Sequence, residues 1–214
     1  MPDSASLTPL TAQCEYTTLL TAPTATDNCD GPITGQTTTT LPITASTTIT
    51  WTFTDSAGFS STQTQEVIIQ DTTPPVPDSA SLTPLTAQCE YTTPLTAPTA
   101  TDNCDGIITG VTTTTEPITA STTITWTFTD SSGNSSEQTQ DVVIEDTQAP
   151  VADLDPLPQL TAQCEYTTPL TSPTATDNCD GIITGVTTTT LPITASTTIT
   201  WTFTDSSGNS SEQT

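Results

Sequence analysis

Two kinds of side chain in this sequence carry chemical capability, the cysteines and the carboxylates, and both recur at fixed spacing. Cys14 and Cys29, Cys89 and Cys104, and Cys164 and Cys179 stand in one frame, T-A-Q-C-E-Y followed by A-T-D-N-C-D-G, with 15 positions between the members of each pair. Zinc is one reading of paired cysteines, but zinc sites want about four ligands at C-x₂₋₄-C spacing, and there is no His to complete one. The other reading is a disulfide inside each repeat, Cys14 to Cys29, Cys89 to Cys104 and Cys164 to Cys179, which implies an oxidising, extracellular compartment. Closing a loop of that length contributes roughly 3 kcal/mol by the loop-entropy estimate.

The carboxylates cluster beside the second cysteine of each pair. Asp102, Asn103 and Asp105, joined by Asp130, form an oxygen-rich turn, repeated at Asp27, Asn28, Asp30 and Asp55 and at Asp177, Asn178, Asp180 and Asp205. Calcium takes roughly six to eight oxygens, and D-N-x-D-G resembles a fragment of a calcium loop, although the longer D-x-N-x-D-G-x₅-E register is missing. An Asx-turn locked by the neighbouring disulfide accounts for the same residues. No cofactor is required, and Ca²⁺ is the one these oxygens would admit. Asp146 with Glu145, at a junction between repeats, is a second place where calcium could stiffen the chain.

Other chemistry lacks the residues it needs. Without His or Lys there is no neutral-pH general base and no Schiff-base amine, and two carboxylates would have to cleave glycosides in three near-copies with no evident cleft. The chain is therefore read as non-enzymatic. With no Lys or Arg and a net charge of -24, nothing neutralises phosphate, which excludes nucleic acid and attraction to anionic membrane. No stretch is apolar enough to insert in a membrane. Two glycosylation patterns are present: Asn134 and Asn209 in N-x-S/T acceptors, and Ser4, Ser56 and Ser79 in Asp-Ser-Ala tripeptides.

The elements that must position these residues follow from the period. Cys14, Cys89 and Cys164 are 75 positions apart, as are Trp51, Trp126 and Trp201. Three repeats result, 2–74, 75–149 and 150–214, the third lacking its last strand. A repeat of that length can bury its own core, unlike a solenoid coil. Hydrophobic residues make up only 31% of the chain, so a covalent staple suits so thin a core.

Within the second repeat, 77–85 is predicted as a lead-in, and 86–92, 95–102, 107–115, 122–129 and 137–145 as strands, with turns at 102–106, 116–117 and 130–134. Pro98 marks 95–102 as an edge or a bulge. The clearest alternation sets Ile124, Trp126 and Phe128 on one face and threonines on the other, with Trp51, Phe53, Trp201 and Phe203 in the equivalent core places. Threonine, 60 of 214 residues, suits strands whose outer face is wet. The fold class is all-β: tandem immunoglobulin-like β-sandwiches, one disulfide each, in an extended array joined by stiff proline-bearing connectors.

From Pro117-Ile-Thr through Trp126-Thr-Phe-Thr-Asp130-Ser-Ser-Gly133-Asn134, and at T-x-Q-C and A-T-D-N-C-D-G, the repeats resemble HYR-type domains, an immunoglobulin-like extracellular family. They are similar to the cysteine-bearing versions in very large surface adhesins of gliding Bacteroidota. That resemblance implies export by the type IX pathway, a cell-surface location with outer-membrane attachment through other regions, and partners that include the gliding or secretion machinery of the cell envelope. An extracellular surface or polysaccharide would be bound by parts outside this chain, which reads as an excerpt of a longer exported protein. The first repeat departs from the pattern at Phe59, where the others have Asn134 and Asn209. A role for that Asn, such as capping its turn, is thus not needed in every repeat. A carbohydrate-binding array, with Tyr91 as the candidate exposed aromatic, and a spacer in a secreted enzyme are the alternative readings.

Overall fold

A computed structural model describes residues 1–214, and every regular element in it is a strand. The first repeat forms β1 (Leu10–Ala12), β2 (Thr24–Asp27), β3 (Gly31–Thr34), β4 (Thr47–Thr54) and β5 (Ser60–Ile69). The second forms β6 (Val76–Pro77), β7 (Leu85–Ala87), β8 (Thr99–Asp102), β9 (Gly106–Thr109), β10 (Thr122–Thr129) and β11 (Ser135–Ile144). The third forms β12 (Val151–Ala152), β13 (Thr174–Asp177), β14 (Gly181–Thr184), β15 (Trp201–Thr204) and β16 (Ser210–Gln213). The architecture is that of tandem immunoglobulin-like β-sandwiches.

Two compact bodies are present, 1–80 with 97–112 and 126–138, and 81–96 with 113–125 and 139–214. In the first, β1 lies parallel to the end of β5, Leu10 opposite Val67 and Ala12 opposite Ile69, while β4 runs antiparallel to β5. The other sheets of this body are β2–β3 and β6–β8–β9, in which Val76 pairs with Thr101 and Ala100 with Ile108. In the second body β11 pairs parallel with β7, Val142 opposite Leu85, and β12–β13–β14 and β15–β16 follow. The β10–β11 hairpin gives its turn half to the first body and its open half to the second.

Alternation decides the core. On β10, Ile124, Trp126 and Phe128 are 0%, 3% and 0% exposed, whereas Thr123, Thr125 and Thr129 face water. Ala25, Ile43, Ile49, Trp51, Phe53 and Val67 form the equivalent cluster of the first repeat, with Tyr16 packed on it. The indole N–H of Trp51 donates to Gln65 Oε1, and Gln65 Nε2 donates to the Thr8 carbonyl, so the buried polar group is satisfied. In the third repeat Trp201 and Phe203 stay buried, but β15 has only four residues where β4 and β10 have eight. The cause is the pairing register. Residues 47–50 of β4 pair with 64–67 of β5, and no strand pairs with the equivalent 197–200.

Several strand bounds differ from expectation. The stretch 86–92 narrows to β7, with Tyr91 making only an isolated bridge to Ile118, because β7 pairs with the last three residues of β11 and the chain bends away at Gln88 and Cys89. The stretch 95–102 narrows to β8, which begins after Pro98 and lies in the centre of its sheet, not at an edge. The stretch 107–115 stops at Thr109 because Gly110 turns under the core. A Cβ there would lie 2.9 Å from Phe128 Cε1 and 3.2 Å from the Pro98 carbonyl, a space that only glycine fills.

Candidate functional site

The disulfides do not close within repeats. Cys14 bonds to Cys104 and Cys89 to Cys179, each with Cα atoms 5.1 Å apart and 90 positions of intervening sequence. The expected pairs Cys14–Cys29, Cys89–Cys104 and Cys164–Cys179 are therefore replaced by bonds from the first cysteine of one repeat to the second cysteine of the next. Cys29 and Cys164 are exposed thiols in this chain.

Topology supplies the reason. Because β1 pairs with the last residues of β5, Cys14 sits where the chain leaves the first repeat, and the Gln70 N–H donates to the Ala12 carbonyl beside it. Because β6 adds to β8, the Asp102–Gly106 turn sits where the chain enters the second repeat. Both cysteines are thus delivered to the same short linker. The second junction repeats this through β7, β11 and β12.

The linker itself is held on both sides. The Thr72 N–H donates to Gln13 Oε1 at 2.9 Å, and Gln13 Nε2 donates to Thr72 Oγ1 at 3.0 Å. From the other side Asn134 Nδ2 donates to the Asp71 carbonyl, Ser136 Oγ to the Pro75 carbonyl and Gln138 Nε2 to the Ser79 carbonyl. Gln88, Asn209 and Ser211 make the matching bonds to Thr147, Asp146 and Pro150. Asn134 and Asn209 are thereby explained: each reaches a linker carbonyl, and Phe59, at the same place in the first repeat, is 77% exposed.

The acids expected to form one calcium turn separate into different jobs. Asp102 Oδ1 accepts from the backbone N–H of Cys104 and Asp105 at 2.8 and 2.9 Å, an Asx-turn that Asp27 and Asp177 reproduce. Gly106, at φ +75°, closes it. Asp105 takes the N–H and the hydroxyl of Ser131, as Asp30 does with Ser56 and Asp180 with Ser206. Asp130 accepts from the backbone N–H of Ser132 and Asn134 and from Asn134 Nδ2, and Asp205 from the N–H and Nδ2 of Asn209; Asp55 keeps the bond to the Phe59 N–H. Asn103 and Asn178 lie exposed, their amide nitrogens 3.0 Å from the Cys104 and Cys179 sulfurs. Asn28 is exposed.

Hydrogen bonds set the charge state of several of these groups. Burial opposes ionisation of Asp130 and Asp205, but the bonds from Asn134 and Asn209 and from their own turns prevail and hold both carboxyls below the ordinary value. Asp27 is lowered by the N–H groups of Cys29 and Asp30. Asp78, clamped by the hydroxyls of Thr101 and Thr99, is lowered likewise, as are Asp3 and Asp153 by their threonine pairs. Of the serine candidates, Ser4 and Ser79 are exposed beside these clamps, and Ser56 donates its hydroxyl to Asp30. The amide nitrogens of Asn134 and Asn209 are engaged on the linker.

What the structure brings together instead is Asp71 with Asp102, and Asp146 with Asp177. An oxygen of each carboxylate and the sulfur of Cys104 or Cys179 lie within 4.8 Å of one another. From the sequence, Asp102 and Asp177 stand out as candidate ligands and Asp71 does not, and Asp146 pairs with Glu145. The available signal was the linker Asp-Thr-x-x-Pro, present at both junctions.

Residues 71–144 match the family model of an HYR-like domain with four cysteines. That stretch holds two cysteines, Cys89 and Cys104, each bonded to a cysteine outside it. The chain is 42% identical over 163 residues to hyalin of Strongylocentrotus purpuratus, an alignment that covers 67% of this chain and 13% of hyalin. Among solved structures, the protocadherin GammaB4 extracellular domain aligns with 99% of this chain and 48% of that one, at 12% identity and a TM-score of 0.33.

Proposed function

We propose that this HYR-like chain is a structural spacer of a secreted, cell-surface adhesion protein, in which disulfides lace each repeat to the next. The observation that carries the reading is the pair of bonds Cys14–Cys104 and Cys89–Cys179. A tensile load entering at Cys14 crosses to Cys104, runs back along the chain to Cys89 and crosses again to Cys179. Between the two bonds only residues 89–104 then bear force, while the β10–β11 hairpin is bypassed. Cystines of this kind persist in oxidising compartments, which fits an extracellular location. High negative charge keeps neighbouring copies apart.

The finer reading, a stalk segment of a gliding-motility adhesin exported by the type IX route and attached to the outer membrane, is supported by the D-N-C-D-G and W-T-F-T-D motifs alone. A carbohydrate-binding array finds less support: Tyr16 packs against the first core cluster, and Tyr91 and Tyr166 are tied by backbone bonds to Ile118 and Ile193. Antibody raised against this chain is expected to label intact, unpermeabilised cells of the source organism. Labelling that requires permeabilisation would refute the surface assignment.

A further inference from the structure

We propose that each junction is a calcium site, built from Asp71 with Asp102 at the first and from Asp146 with Asp177 at the second. Asp102 and Asp177 are 4% and 5% exposed, yet Oδ2 of each is buried with no hydrogen-bond partner. Oδ2 of Asp71 and of Asp146 is buried and unpartnered as well. Four unsatisfied carboxylate oxygens therefore occur, two at each junction, on carboxylates that approach one another within 4.8 Å in two copies of one arrangement. Buried polar atoms are normally paired, and a buried carboxylate needs a counter-charge.

The protein has none to give. It contains no Lys, Arg or His. The N-terminal ammonium donates to the Thr26 carbonyl. The third member of each group is a cystine sulfur, which carries no negative charge and is a poor ligand for a hard cation, so the donors are the carboxylates. Oxygens within 4.8 Å of each other can be bridged by one cation, and hard carboxylate oxygens with water completing the shell suit calcium, whose metal–oxygen distances are about 2.3–2.6 Å.

The unpartnered oxygens are also held in place. Oδ1 of Asp102 is fixed by the N–H groups of Cys104 and Asp105, and Oδ1 of Asp71 accepts the Thr73 N–H at 3.1 Å. Oδ1 of Asp146 accepts the Gln148 N–H in the same way. Asn134 Nδ2 on the Asp71 carbonyl and Asn209 Nδ2 on the Asp146 carbonyl pin the linker that presents these acids. Water completes the shell on the exposed side of Asp71 and Asp146. An ion bound there joins the linker to the turn of the following repeat, beside the disulfide that crosses the same junction. Asp27 belongs to no such group, so two ions bind per chain and not three.

The test uses the whole oxidised chain in about 0.15 M KCl, which screens diffuse attraction to its net charge. Thermal unfolding is followed with calcium chloride, with magnesium chloride and with chelator. Calcium is expected to raise the midpoint, chelator to reverse the rise, and magnesium to act more weakly. The pair D71N and D146N is expected to remove the calcium response and, in chelator, to melt above the natural chain because carboxylate repulsion is relieved. The pair E15Q and E90Q, which removes the same charge from exposed positions, is expected to keep the response. Equilibrium dialysis is expected to show two fewer calcium ions on D71N/D146N than on the natural chain. D102N/D177N, whose amide oxygens still accept the turn N–H groups, serves as a second pair if the first fails to fold. An unchanged calcium response in either folded pair, no response in the natural chain, a third specific ion, or an equal response to magnesium would overturn the assignment.

Discussion

Removing one junction disulfide separates the observed pairing from the expected one without a structure. In a background of C29S and C164S, which deletes the exposed thiols, the Cys14–Cys104 bond is removed by C14S, by C104S, or by both. The bond closes 90 positions of sequence, and the chain-entropy relation gives about 4.6 kcal/mol for a loop of that size, against about 3 for a loop of 15. Urea unfolding followed by fluorescence of Trp51, Trp126 and Trp201 reads the loss. C14S and C104S should each lower the midpoint, and the double variant should cost no more than either single one, since one bond serves both. The background itself should unfold with the natural chain. If C29S alone destabilises as much as C14S, the two cysteines are partners, and the junction topology is wrong.

Three further outcomes follow from particular contacts. Gly110→Ala places a methyl against Phe128 and the Pro98 carbonyl and should cost about 1–3 kcal/mol, whereas Gly31→Ala, with open space at its Cβ but φ +75°, acts through backbone strain alone; urea midpoints compare them. Asn134→Ala should lower the thermal midpoint by releasing both the linker carbonyl and Asp130, while Phe59→Asn in the first repeat should lower it little or raise it. Carboxyls held below their ordinary value, Asp3, Asp27, Asp78, Asp130, Asp153 and Asp205, contribute stability that is present above about pH 4 and is lost as pH falls through their folded values. The midpoint in an acid titration should therefore fall below about pH 4, and a rise there would contradict the hydrogen bonds assigned to these groups.

Strand β10 was legible residue for residue, because a two-residue alternation of Ile, Trp and Phe with Thr dictates both the conformation and the buried face. Pro98 was legible as a break, but its consequence was not: the strand begins after it and lies mid-sheet, since β6 arrives from the linker to cover the other edge. Gly110 gave no signal, for its need arises from Phe128, 18 positions away, crossing over it. The cysteine pairing failed for a general reason. In a tandem array every cysteine has an equivalent in the next repeat, so spacing along the chain cannot tell a partner inside the repeat from one beyond it. Only the parallel pairing of β1 with the end of β5 puts Cys14 at the exit. The same pairing brings Asp71 to Asp102, which is why acid clustering along the sequence pointed to Asp105 and Asp130 instead.

The extension of the single oxidised chain, pulled from its two ends, separates bonds that cross the junctions from bonds inside the repeats. With bonds Cys14–Cys104 and Cys89–Cys179, load passes through residues 1–14, 89–104 and 179–214, and complete unfolding should yield a contour of about 220 Å at about 3.5 Å per residue. The same chain after reduction should reach about 750 Å. A contour near 590 Å before reduction, the length left when each repeat hides only the 15 positions between its own cysteines, would contradict the laced arrangement.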